Sequence, residues 1–132
     1  MEGQELPYVL VDCIGERHGV YEDHVGFLKK HFHLITMKEY LENKTFLSKK
    51  IRAIYMWYHK PAINEDLLQS LPNLKVVASS GVGIDHLDLK LLFSYGVKVS
   101  NTPFIVSTDT ADMGMALLLA SSRRLVEGNN LN

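Results

Sequence analysis

Three glycine-loop residues, Gly81, Val82 and Gly83, are the part of this chain best placed to do chemistry. An apolar, β-branched run at residues 76–78 leads into Ser79-Ser80-Gly81-Val82-Gly83, and Asp85 then opens a predicted helix. A second strand is expected at 97–100, stopping at Asn101-Thr102-Pro103. Strand, glycine-rich turn and helix start bring backbone N–H groups to one point, an arrangement suited to an anion. Read as a dinucleotide fingerprint, the loop fits G-x-G but has His86 where the third glycine belongs. The next strand ends in Ser100-Asn101, without the acid that would hold a ribose. A tight turn that simply needs glycines is the plainest alternative. A carboxylate cradle fits better, with the amides of Val82 and Gly83 facing the open edge of a sheet and Gly81 allowing the approach.

The other reactive residue types give weaker patterns. Asp85 and Asp88 fit helix capping better than acid–base work, with Asp85 at the N-cap and Asp88 in the first turn. Asp109 and Asp112 suit the start of a last helix capped by Ser107 or Thr108. The six histidines show no metal-ligand spacing, and His59 has no evident carboxylate partner. Cys13, the only cysteine, excludes an internal disulfide and reads as a small buried side chain. The segment after the first strand, Asp12 to Arg17, lacks the hydroxyls and glycines of a flavin phosphate loop. Trp57-Tyr58-His59 offers no phospho-acceptor acid after the third strand.

The elements that must position the loop alternate. Strands are expected at 8–11, 34–35, 53–58, 76–78 and 97–100, and helices at 21–32, 38–50 (followed by an irregular polar turn), 64–71, 87–95 and 108–125. Asn64 caps the third helix and Gly96 closes the fourth. Strands apolar on both faces and separated by helices indicate a parallel sheet covered on both sides. The fold class is therefore α/β: a flavodoxin-like, five-stranded parallel sheet with helices on both faces and a long C-terminal crossover helix. The loops after Asp12, Tyr58, Ala78 and Ser100 then share the carboxyl edge, where ligands bind.

The 132 residues are 46% apolar and 22% charged with a net charge of −1, which argues against nucleic acid or an anionic membrane as partner. No segment is long and apolar enough for a signal peptide or a membrane span, and a cytoplasmic location is expected. Residues 113–120, MGMALLLA, are apolar nearly all round a helix. One small sheet needs only one apolar stripe, so this helix implies a second domain or a second chain. The division expected is a flavodoxin-like domain at 1–106, a crossover or interface helix at 107–126 and a frayed tail at 127–132.

The stretches NLKVVASSGVGIDHLDL, GVKVSNTP and VSTDTADMGMALLLASSRRL, in this order, resemble the D-isomer-specific 2-hydroxyacid dehydrogenases in their glyoxylate/hydroxypyruvate reductase branch. The resemblance implies that 1–106 is the smaller, substrate domain of such an enzyme. It implies that Gly81, Val82 and Gly83 contact the carboxylate of a small 2-keto or 2-hydroxy acid, with Val82 also on the nicotinamide side. Trp57 and Tyr58 would wall the pocket, and the helix from Ser107 would cross to the nucleotide domain and support a dimer. The family's Rossmann domain, with its NADP or NAD and its catalytic arginine, glutamate and histidine, has no counterpart in these residues; Arg123 and Arg124 do not match that arginine. The chain is expected to bind no cofactor tightly and to be inactive alone, as a fragment or an alternative product. A non-catalytic module that associates through its last helix is the rival reading.

Overall fold

The computed structural model describes residues 5–15 and 17–130. Five strands, β1 (Tyr8–Val11), β2 (His33–Thr36), β3 (Ile51–Met56), β4 (Val76–Ser79) and β5 (Lys98–Ser100), form one sheet in the order β2-β1-β3-β4-β5. Every pairing is parallel. This is the flavodoxin-like order expected from the alternating pattern. The chain forms two compact units, Met1–Asn101 and Thr102–Asn132.

Alternation along the strands sorts side chains onto two faces. Leu10, Ile54, Met56 and Val77 point into one core, joined by Tyr40, Leu47, Leu68 and Leu92. Those four come from helices α2 (Met37–Glu42), α3 (Lys44–Leu47), α4 (Glu65–Ser70) and α5 (Leu89–Ser94). Val11 points the other way and packs with Val20 and with Val25 of α1 (Glu22–Leu28); Leu34, Tyr55 and Trp57 flank them. The strands are apolar on both sides because both sides are covered.

Helix starts follow local hydrogen bonding, with two departures from expectation. Asn64 caps α4 as its sequence position suggests, accepting from the Leu67 amide at 2.9 Å. The expected cap Asp85 is not one. Asp88 fills that place, its Oδ1 accepting from the Leu91 amide at 2.9 Å, and α5 starts only at Leu89. Residues 84–87 are spent on a turn closed by the Leu87 amide on the Ile84 carbonyl, which pushes the helix start three residues on. Thr36 and Glu39 form a reciprocal capping box on α2. Where a helix followed by an irregular polar turn is expected at 38–50, two short helices, α2 and α3, meet at Asn43. Gly96, at φ 70°, ends α5 as expected.

In the second unit, α6 spans Ser107–Ser122 and its N-cap position is Val106, without a side-chain cap. Neither Ser107 nor Thr108 caps it; both already lie inside the helix. Arg124 adopts a left-handed conformation, φ 51°, and starts α7 (Leu125–Asn129). The expected frayed tail thus begins as helix, and its last two residues lie outside those described. Met113, Met115, Leu117, Leu118 and Leu119 of α6 are all exposed. Among the described residues no helix is long and apolar enough to cross a membrane.

The two candidate caps separate in a stability measurement. Asp88→Ala is expected to cost about 1 kcal/mol through loss of the cap, read as a lower urea midpoint. Asp85→Ala is expected to leave the midpoint unchanged.

Candidate functional site

The ends of β3, β4 and β5 build the carboxyl edge. β3 stops at Met56, two residues earlier than its apolar run suggests, because Trp57 and Lys60 close a tight reversal. The Trp57 amide donates to the Lys60 carbonyl and the Lys60 amide to the Trp57 carbonyl, both at 3.0 Å. The two central residues, Tyr58 (φ 50°) and His59 (φ 60°), are both left-handed. Such a turn favours Asn-Gly, and each bulky residue held there costs on the order of 1–3 kcal/mol. Tyr58 and His59 are therefore held in place by what their rings touch.

The Trp57 indole packs edge-on against Tyr21 at 5.4 Å and lies 6.1 Å from the Tyr58 ring. Its Nε1 is buried without a hydrogen-bond partner among the described residues. The Tyr58 ring meets His18 edge-on at 5.2 Å. The Tyr21 hydroxyl is held above its ordinary range, chiefly by its hydrogen bond with Tyr58. Burial alone raises Tyr55, whose hydroxyl lies 3.2 Å from His24 Nε2. Trp57, Tyr58, His59, Ser80 and Gly81 line one cleft of about 270 Å³.

β4 delivers the glycine loop beside this turn. Ser79 is buried, and the Ser80 amide donates to the Met56 carbonyl at 3.1 Å. Asn101, one residue beyond β5, donates from Nδ2 to the Val82 carbonyl at 2.8 Å and ties the loop to its neighbour. The amides of Val82 and Gly83 have no partner among the described residues. Neither Gly81 nor Gly83 has a positive φ, and a Cβ at either would meet nothing within 4 Å. The turn itself does not require these glycines.

Of the sequence-predicted residues, Trp57, Tyr58 and Gly81 share the cleft; Val82 and Gly83 stand in the same loop but do not line it. Sequence reasoning missed Asn101 as a clamp and missed a second contact. His86 stacks on His59, ring centroids 4.1 Å apart and planes 19° apart. The usable signal for both was topology: each follows a strand that ends at this edge.

The helix that follows the glycine loop does not offer an open N-terminus to a pyrophosphate: the Asp88 carboxylate occupies that of α5. Among the described residues no three His, Cys, Asp or Glu side chains stand close enough to hold a metal ion.

Known proteins resemble this chain in sequence and in fold. A glyoxylate reductase of Thermococcus onnurineus is 32% identical over 111 residues, which are 82% of this chain and 33% of that protein. The glyoxylate/hydroxypyruvate reductase A HPR2 of Arabidopsis thaliana is 35% identical over 112 residues, 69% of this chain and 35% of that one. The chain thus spans about a third of the length of these curated relatives. Among solved structures, a 2-hydroxyacid dehydrogenase from Ketogulonicigenium vulgare Y25 superposes with a TM-score of 0.78 at 28% identity, covering 93% of this chain and 38% of that one. An NADPH-dependent glyoxylate/hydroxypyruvate reductase from Sinorhizobium meliloti, solved with NADP and malonate, shares the fold with a TM-score of 0.67 at 22% identity, covering 88% of this chain and 34% of that one. The sequence model of the D-isomer specific 2-hydroxyacid dehydrogenase catalytic domain matches residues 16–125, and the chain belongs to that family.

Proposed function

We propose that this chain is the substrate domain of an NAD(P)H-dependent 2-hydroxyacid dehydrogenase that reduces glyoxylate, hydroxypyruvate or another small 2-keto acid. One observation carries the reading: two glycines that the fold does not need flank unpaired amides at the carboxyl edge. The amides of Val82 and Gly83 hold the substrate carboxylate, Gly81 permits its approach, and Trp57 and Tyr58 wall the pocket. Asn101 fixes the Val82 carbonyl and so aims the peptide that follows it. The nicotinamide, bound by a separate nucleotide domain, supplies the hydride and faces Val82. Residues 1–106 form the substrate domain and 107–126 the crossover helix, in a cytoplasmic enzyme.

A second reading has its own support. The exposed methionines and leucines of α6 are more apolar surface than a monomer ordinarily leaves in water. The helix is an interface, most simply with a second copy of the chain, and association through it does not require catalysis.

Three outcomes follow. The 132-residue chain alone should oxidise NADH or NADPH with glyoxylate or hydroxypyruvate only at buffer background, since it supplies neither a dinucleotide site nor the family's proton donor. Turnover by pure protein would overturn the assignment of roles.

Joined to the nucleotide domain of the Thermococcus onnurineus enzyme, the chain should gain turnover. In that chimera Gly83→Val should raise KM by on the order of tenfold by crowding the carboxylate. Asn101→Ala should lower kcat/KM several-fold, the loss of one hydrogen bond of about 1 kcal/mol. A folded chimera indifferent to both changes removes the loop from the site.

The pair Met115→Glu and Leu118→Glu should dissolve the oligomer in sedimentation while the circular dichroism of the sheet is kept. A monodisperse monomer at high concentration before any substitution defeats the interface reading.

A further inference from the structure

The strained turn after β3 holds one ring whose only aromatic contact among the described residues is another histidine. His59 is left-handed at φ 60°, and its imidazole lies flat on that of His86. His86 belongs to the glycine-loop segment, three residues after Gly83, so the stack joins the two loops that form the cleft. The other fastening on the glycine loop, Asn101 to Val82, comes from β5 on the opposite side. The Ser80 amide on the Met56 carbonyl anchors the start of the loop, and beyond it stand one amide clamp and one titratable stack.

We propose that the His59–His86 stack is a proton-sensitive fastening of the Gly81–Gly83 loop, closed while the pair carries at most one proton and opened by a second. Two neutral rings, or one neutral and one charged, stack favourably; two imidazolium rings at 4.1 Å repel. His86 sits below its ordinary value of 6.5, from burial first and then from His59, with Asp85 pulling the other way. The charged and titratable groups acting on it are thus His59 across the stack and Asp85 beside it; no other element contributes one among the described residues. The sign follows directly. A histidine whose folded value is lowered binds its proton less readily in the folded state. Its contribution is complete above pH 6.5 and is lost as the pH falls through the lowered midpoint.

The consequence for catalysis rests on the carboxylate reading of the loop: with the stack open, the loop loses its side-chain contact with the turn after β3 and keeps the Asn101 clamp. The device itself is tested without ligand, so its failure and the failure of that reading are distinguishable. The probe is an NMR pH titration of the 132-residue chain, following the His86 ring and the amides of Gly81, Val82 and Gly83. All four should move with one midpoint, below 6.5. His59→Asn suits the left-handed turn and should not lower stability, yet it should raise the His86 midpoint towards 6.5 and shrink the excursion of the loop amides. His86→Phe keeps a flat ring on His59 without its charge, and should hold the amides at their high-pH positions throughout. Loop amides that ignore His86 in the parent chain, or a His86 midpoint unmoved by His59→Asn, overturn the proposal. Should the Asn variant not fold, the Phe variant decides alone: a loop excursion unchanged from the parent's rejects the stack as the fastening.

Discussion

The parallel register of β3, β4 and β5 is the constraint on which the site depends. Met56 stands opposite Ser79 and Ala78 opposite Ser100, so these strands end nearly level. Parallel strands all exit at the same edge, and level ends put three chain reversals side by side. The turn of Trp57 to Lys60, the loop of Gly81 to Gly83 and the Asn101 side chain are neighbours for that reason. A slip of one residue in the β4–β5 pairing would carry Asn101 away from the Val82 carbonyl, and a slip in the β3–β4 pairing would part the Trp57–Lys60 turn from the glycine loop; either would exchange the faces on which a strand's side chains pack.

The register is secured away from the edge, in the core. Ile54 and Val77 are fully buried between β3 and β4, and Leu68 and Leu92 seal them from the helix side. Each such side chain contributes about 1.5–3 kcal/mol on burial. That reserve lets the edge carry unfavourable features: two left-handed bulky residues and, among the described residues, an unpartnered indole N–H and two loop amides without partners. Strain and unpaired polar groups collect at the candidate site, while the core stays regular.

The family relationship bears on how these features are used. The chain covers about a third of the length of these curated relatives. The glycines of its loop answer no demand of the turn itself, and the methionines and leucines of α6 are exposed. Under the function proposed above, both are surfaces that meet a ligand or a second body.

Much of this was legible in the residues alone. Apolar runs separated by amphipathic stretches fix five strands and their parallel pairing, because only a sheet covered on both faces tolerates strands apolar on both sides. Asn64 and Gly96 mark helix ends through local hydrogen bonding and backbone conformation, which need no distant partner. The glycine loop could be located for the same local reason. What the sequence alone left undecided were features set by contacts across the chain. Asp88 rather than Asp85 caps α5 because residues 84–87 are first used in a turn. β3 stops at Met56, although Trp57 and Tyr58 continue its apolar pattern, because the Trp57–Lys60 reversal takes their backbone groups. The Asn101 clamp spans 19 residues and the His59–His86 stack joins two different loops. Neither leaves a periodic or local trace. Each exists only once parallel pairing has set strand ends beside one another, and that was decided by the tertiary structure.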